Sequence, residues 1–294
     1  MQIEPLYPRS TGSEKIAILT DSCADVPSEL MSQYPVFSVP MRINYKDRSY
    51  LDRIEITPQE VYDRLEVEIP TTSTPSMKQV DDTFMKISDL GFTHVICINI
   101  SSKLSSTIDL VATVSKSYKE LTTKIIDTLN IGFGSAFSVR HACSLLTKGC
   151  SFGEIVSDTE RMVPRTHTFF ITDTLDYLYK GGRIGKTVHA LGSILNIKPI
   201  ITCNRVGEYV VAAKARGKKA AINKAKDLIE KLTNGRPFRL AIANGNAEAE
   251  AQRELDAVKR DFPNALEIIN GGQISPVLAV HTGPGMIGLS AQLI

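Results

Sequence analysis

The sequence predicts an α/β fold in two domains, and three observations carry that expectation. Short β-rich runs alternate with stretches of helical periodicity from Lys15 onward, the pattern of strands joined by crossover helices in a largely parallel sheet. The run His94-Val95-Ile96-Cys97-Ile98-Asn99-Ile100 is almost continuously apolar, as strands covered on both faces are. A chain of 294 residues is too long for one small core and suits two domains of roughly 150 residues each.

The elements follow in order. Lys15–Thr20 reads as the first buried strand, and Pro27-Ser28-Glu29-Leu30 opens a helix. Thr57-Pro58-Gln59-Glu60 combines a hydroxyl cap, a proline in the first turn and a glutamate at the third position, a capping box whose helix ends before Pro70. After Thr71-Thr72-Ser73-Thr74-Pro75, the spacing of Met77, Val80, Phe84 and Ile87 gives one apolar helical face, with Gly91 as its stop. The strand His94–Ile100 then runs into the polar turn Ser101–Thr107 and a helix with Ile108, Val111, Ser115 and Tyr118 in register. A strand over 124–128 and a helix over 135–146 complete this half, and Ser151-Phe152-Gly153-Glu154 offers a second capping box.

Beyond Pro164 strands are expected at 168–172, 199–203, 208–213, 239–243, 265–269, 276–281 and 288–293. Helices fall before Gly181-Gly182 and over 185–195, 218–232 and 248–260. The expected organisation is a lead-in at 1–14, an N-terminal α/β domain at 15–165 with a mostly parallel sheet flanked by helices, and a C-terminal α/β domain at 166–294.

Composition narrows the function classes. Lys plus Arg is 34 against Asp plus Glu 32, so no global field draws the chain to nucleic acid. No apolar run approaches the ~18 residues of a membrane span, and Met1–Glu14 does not resemble a signal peptide; transient membrane contact stays open. Five cysteines without a C-x-x-C pair argue against structural zinc or a disulfide framework and fit reduced, buried thiols in a cytoplasm. The five histidines are scattered, so no metal is expected, and no G-x-S-x-G elbow is present.

Two phosphate-loop lookalikes fail. Lys180-Gly181-Gly182-Arg183-Ile184-Gly185-Lys186-Thr187 ends as a P-loop does but has Lys180 where the template needs glycine, and it follows a helical stretch. Gly283-Pro284-Gly285-Met286-Ile287-Gly288 fits G-x-G-x-x-G after an expected strand, but too few residues remain for a crossover helix, so it reads as a glycine turn between two strands.

Two hydroxyl-rich loops stand out: Thr71-Thr72-Ser73-Thr74 and Ser101-Ser102-Lys103-Leu104-Ser105-Ser106. Each precedes an expected helix, where hydroxyls and free backbone N–H groups suit an anion. His281, at the end of its expected strand, supplies a third donor. The plain alternative is that these residues cap and turn their own backbone. Neither hydroxyl run holds a carboxylate to act as base, which favours holding an anion over transforming it.

At these residues the sequence resembles the DegV family of fatty-acid-binding (FakB-type) bacterial proteins. The resemblance rests on Ile18-Leu19-Thr20-Asp21-Ser22 with Asp25, Pro70-Thr71-Thr72-Ser73-Thr74-Pro75-Ser76, and Ser101-Ser102-Lys103-Leu104-Ser105. It continues through Leu175-Asp176-Tyr177-Leu178, Gly181-Gly182-Arg183-Ile184-Gly185-Lys186, Asn196-Ile197-Lys198-Pro199-Ile200 and His281-Thr282-Gly283-Pro284-Gly285. It implies a lipid cavity between two α/β domains, one bound fatty acid as the ligand and no cofactor. The family's ligand threonine, serine and histidine fall on Thr72, Ser105 and His281, with Thr71, Ser73 and Ser102 beside them.

The resemblance also implies that the chain is not itself an enzyme. A separate kinase subunit phosphorylates the bound acid, and Arg183 and Arg216 fall on arginines linked to that transfer. Three departures touch the head-group region: Ser106 where the family commonly has glycine, Cys23 where Ser or Thr is usual, and Thr74 where Gln is usual. An autonomous phosphotransferase using the Gly181–Thr187 region and a lipid-sensing regulator are the alternatives.

Overall fold

Four parallel strands form the first sheet of the computed structural model, which describes residues 14–192 and 196–294. They are β1 (Ile16–Asp21), β2 (Val36–Val39), β6 (His94–Asn99) and β7 (Thr122–Asp127), in the order β2-β1-β6-β7. Because successive side chains point to opposite faces, Ala17 and Leu19 of β1 join one cluster and Ile16 and Ile18 another. The first cluster lies under α3 (Met77–Asp89) and α4 (Thr107–Ser115); the second packs on α5 (Phe133–Thr147). Val80, Phe84 and Ile87 of α3 are buried as the spacing predicts, whereas Met77 is 61% exposed and lies off that face.

The second sheet has six strands and is mixed. It comprises β8 (Thr166–Ile171), β9 (Ile197–Cys203), β10 (Tyr209–Arg216), β11 (Phe238–Gly245), β12 (Ala265–Gln273) and β13 (Met286–Leu293). Their order is β10-β9-β8-β13-β11-β12, and the β11–β12 pair is parallel while the other pairs are antiparallel. Helices α9 (Lys218–Thr233) and α10 (Glu248–Asp261) cover one face. The other face contributes Phe170, Ile201, Ala241 and Ala243 to the same cluster that holds Ile18, Ile98 and Phe137, so α5 is packed between the two sheets. That position explains why α5 buries residues all round rather than along one stripe.

A small antiparallel sheet completes the strands: β3 (Arg42–Asn44), β4 (Ser49–Leu51) and β5 (Thr71–Ser73), in the order β4-β3-β5. The remaining helices are α1 (Ser28–Gln33), α2 (Pro58–Arg64), α6 (Phe152–Met162), α7 (Asp176–Lys180), α8 (Lys186–Gly192) and α11 (Pro276–Thr282). Both expected capping boxes form, at Thr57 with Glu60 and at Ser151 with Glu154. A third, Ser76 with Gln79, starts α3.

Three expectations are corrected. Residues 276–281 are helix, not strand: Pro276 sits in the first turn after Ser275, and every residue of α11 is buried, so its apolar run has no alternation to distinguish helix from strand. The turn Gly283-Pro284-Gly285 therefore joins a helix to β13. Residues Thr71–Ser73 are a strand ending three residues before the Ser76 cap, so this hydroxyl run does not stand at a helix N-terminus. The expected helix over 185–195 is α8, its last three positions lying outside the described residues, as does the lead-in before Glu14.

Close contact between α5 and β8 requires glycine at 134. A Cβ there would stand 2.2 Å from Thr168 Oγ1 and 2.4 Å from Asn130 Oδ1. Gly134→Ala is expected to lower the unfolding free energy by about 1–3 kcal/mol through overpacking, read as a lower urea midpoint with unchanged slope.

Candidate ligand site

The short segment Met41–Asn44, which contains β3, touches β5 and the start of α4. Thr72 of β5 lies opposite Ile43, and its Oγ1 is 2.7 Å from Nε2 of His281, a contact between residues 209 positions apart. Two residues earlier on the same extended run, Met41 receives Thr107 Oγ1–H at its sulfur at 3.1 Å. Thr107 in turn shares a 2.9 Å hydrogen bond with Ser105, whose Oγ also accepts the Thr107 N–H. Met41 and Ile43 are about 7 Å apart along the chain, so Thr72 and Thr107 each touch the same short segment.

Neighbouring hydroxyls take other directions. Thr71 and Ser73 alternate with Thr72 and so point to the opposite side of β5, where Asn44 Nδ2 donates to Ser73 Oγ at 3.2 Å. Ser102 is exposed, and its N–H donates to Asp127. Ser101 is buried, and its hydroxyl donates to the carbonyl of Gly207 at 2.8 Å, tying this loop to the β9–β10 hairpin. The loop itself is fixed by Asp21, whose carboxylate accepts from Cys23 N–H, Asn99 Nδ2 and Ile100 N–H.

His281 is 7% exposed at the end of α11, with its ring packed on the backbone of Gly181: a Cβ at 181 would stand 2.1 Å from Nδ1. Burial, and after it the positive charge of Arg183, pushes its pKa down to about 3, so the ring is neutral at physiological pH. Nδ1 makes no hydrogen bond. With the proton on Nε2 the ring donates to Thr72 and leaves the threonine O–H free for an incoming acceptor.

The N-terminus of α11 is held by two buried carboxylates that sequence reading did not single out as ligands of a helix. Asp25 Oδ1 accepts the Ser275 N–H at 3.0 Å and is paired with Arg53 at 2.6 Å; Asp52 Oδ1 accepts the Val277 N–H at 3.1 Å. Asp25 belongs to the Thr20-Asp21-Ser22 neighbourhood, but no sequence signal links Asp52 to a helix 225 positions away. Burial pushes Asp21 and Asp52 up to about 6 against the hydrogen bonds that each accepts.

Arg183 donates to the Gly181 carbonyl at 2.6 Å, and its charge bears on His281, Cys23 and Tyr209. Arg216 is exposed at the other end of β10 from Tyr209, about 20 Å along the strand. The Gly181–Thr187 segment follows helix α7, not a strand, which removes the context of a phosphate-binding loop.

Beside His281 a cavity of about 40 Å³ lies between the second sheet and the first half. Its floor is Thr168 and Phe170 of β8, Ala243 of β11, and Gly288 and Ser290 of β13, all on one sheet face. Its roof includes Phe133 of α5 and Leu278 and Thr282 of α11. Thr72, Ser105 and His281 are not among its lining residues; His281 adjoins it through Thr282. Among the described residues no group of three or more His, Cys, Asp or Glu could hold a metal, and no helix is long and apolar enough to cross a membrane.

Because the folded state holds the Asp52 proton more tightly than the unfolded chain, the stability it lends is full below about pH 4 and is lost as pH rises through its folded value of about 6. The stability of the parent minus that of Asp52→Asn should therefore fall by on the order of 2 kcal/mol between pH 4 and 7, measured by urea unfolding. A pH-independent difference would contradict the assignment. Gly181→Ala should displace the imidazole, cost about 1–3 kcal/mol and shift the ¹⁵N resonances of His281 away from those of a hydrogen-bonded Nε2.

Residues 15–293 match a family model described as uncharacterised protein, DegV family. A DegV domain-containing protein of Clostridium acetobutylicum is 39% identical over 279 residues, spanning 94% of this chain and 98% of its own. A DegV family protein from Thermus thermophilus, described by its fatty acid binding, superposes with a TM-score of 0.88 at 29% identity, covering 95% of this chain and 99% of that one. DegV of Bacillus subtilis, a fatty acid binding protein, superposes with a TM-score of 0.87 at 26% identity, covering 96% and 100%. With its parallel sheet, its separate mixed sheet and a family match over nearly its whole length, this chain belongs to the DegV family.

Proposed function

We propose that this chain binds one long-chain fatty acid, with the tail in the cavity beneath α11 and the carboxylate at Thr72, Ser105 and His281. The observation that carries the reading is the Thr72–His281 contact, which sets a neutral ring and a free hydroxyl proton beside a largely apolar cavity. The fatty acid binding of the Thermus and Bacillus relatives supports it. Thr71, Ser73 and Ser102 support the two loops rather than touch the head group.

The energetics favour a carrier. Transfer of about 15 methylene-type groups at ~0.8 kcal/mol each is worth roughly 12 kcal/mol before association costs. A charge-assisted hydrogen bond to the head contributes about 1.5–3 kcal/mol. The tail dominates affinity and the hydroxyls fix the orientation of the carboxyl.

In the same reading the protein is a cytoplasmic, two-domain subunit with its boundary near residue 165, and it presents the carboxylate to a separate kinase for acyl-phosphate formation. Arg183 lies on the head-group side and exposed Arg216 serves the partner. Mass spectrometry of the denatured protein should find a co-purified fatty acid, or uptake of one on addition; neither would reject the carrier. Thr72→Ala and Ser105→Ala should each weaken fatty acid binding about tenfold and lower acyl-phosphate yield further, whereas Arg216→Ala should lower the yield with binding intact. Unchanged phosphorylation of the Thr72 variant would remove it from the head-group site.

A further inference from the structure

The run from Gly283 to Gly288 holds three glycines, and the protein itself requires only two of them. Gly283 and Gly285 have φ of +66° and +83°, and a Cβ at either would collide with the Tyr177 ring or the Asp173 carboxylate. Gly288 is buried in β13 without a left-handed φ, and a Cβ there would meet Met286 Sδ at 3.4 Å and nothing closer. Among the described residues every other buried glycine has a positive φ or would bring a Cβ within 3.0 Å of a neighbour. That open space faces the cavity. Along β13 the side chains of Ile287, Leu289 and Ala291 join the cluster under α9 and α10, whereas Met286, Gly288 and Ser290 line the cavity beneath α11. A side chain at 288 would therefore enter it beside Met286, between Phe170 of β8 and Ala243 of β11.

We infer that Gly288 is a specificity-determining residue: carbons of a long acyl tail occupy the space of its missing side chain, and that space sets how long a chain the protein takes. This rests on the fatty-acid-binding reading above and deepens it. A glycine inside a strand weakens the strand, and here it relieves no contact within the protein. The void beside it forfeits dispersion contacts that an alkyl segment would supply. The nearby hydroxyls of Thr168 and Ser290 bond each other at 2.9 Å, which leaves the site to apolar contact. Position along the chain follows from β13. The turn after His281 leads into Met286, and Gly288 lies two residues, about 7 Å, further along the strand. A short acid held at His281 ends before that point, and a long one passes it. The cavity is small, about 40 Å³, so one branched side chain would take much of it.

The test is a binding series on the delipidated full chain with decanoic, myristic, palmitic and stearic acids, in the parent, Gly288→Ala and Gly288→Val. Gly288→Val should weaken stearic acid about tenfold, the scale of displacing two methylene groups, and decanoic acid less than about twofold. Gly288→Ala should shift the series in the same direction by less. Its ligand-free form should also unfold at a higher urea concentration than the parent, because a Cβ fills open space and restricts the unfolded chain. If the valine variant does not fold, the alanine series decides. A loss that does not grow with chain length, or no loss, would overturn the inference and leave the fatty-acid reading standing. A lower urea midpoint in Gly288→Ala would do the same, since the space would then be filled by the protein. Failure of the parent to bind any of the four acids would overturn both.

Discussion

Helix α11 is buried along all seven of its residues, and a helix in that position must find protein partners for the polar groups at its ends. Its first N–H groups are taken by Asp25 and Asp52, which arrive from two separate turns of the first half. At its other end the Gly283 N–H closes on the Ala279 carbonyl, and His281 is clamped between the Gly181 backbone and Thr72. Other contacts of the site depend on this placement. Rotating the helix by one residue would carry His281 away from Thr72 and Leu278 away from the cavity.

Electrostatics are divided along the same helix. Carboxylates gather at its N-terminus, where backbone N–H groups favour negative charge. At its C-terminus the imidazole is kept neutral by burial and by Arg183, so the mouth of the site holds polar groups without a fixed charge of its own beyond that arginine.

The two halves are joined by more than the helix. Buried α5 packs on both sheets, and the tip of the β9–β10 hairpin touches the first half through the Ser101–Gly207 hydrogen bond. The cavity exists because small residues occupy the facing sheet surface: Ala243, Gly288 and Ser290 leave room that larger side chains would fill. The cavity and the Thr72–His281 pair thus come from different layers, the sheet surface supplying the first and β5 with α11 the second.

How far the sequence reaches is clear from particular elements. The parallel strands, the capping boxes at Thr57 and Ser151 and the helices α9 and α10 were legible because each is written in a local period or a local cap. Thr72, Ser105 and His281 were legible as candidates through residue type and family resemblance. The contact of Thr72 with His281 was not, nor were the link from Thr107 to Met41 beside β3, the helical state of 276–282 or the roles of Asp25 and Asp52. Alternation and helical spacing record which face of an element is covered and say nothing of what covers it. The pairing of residues 209 and 225 positions apart is decided only when the chain closes on itself, because the energy of such contacts lies in burial that no local segment possesses.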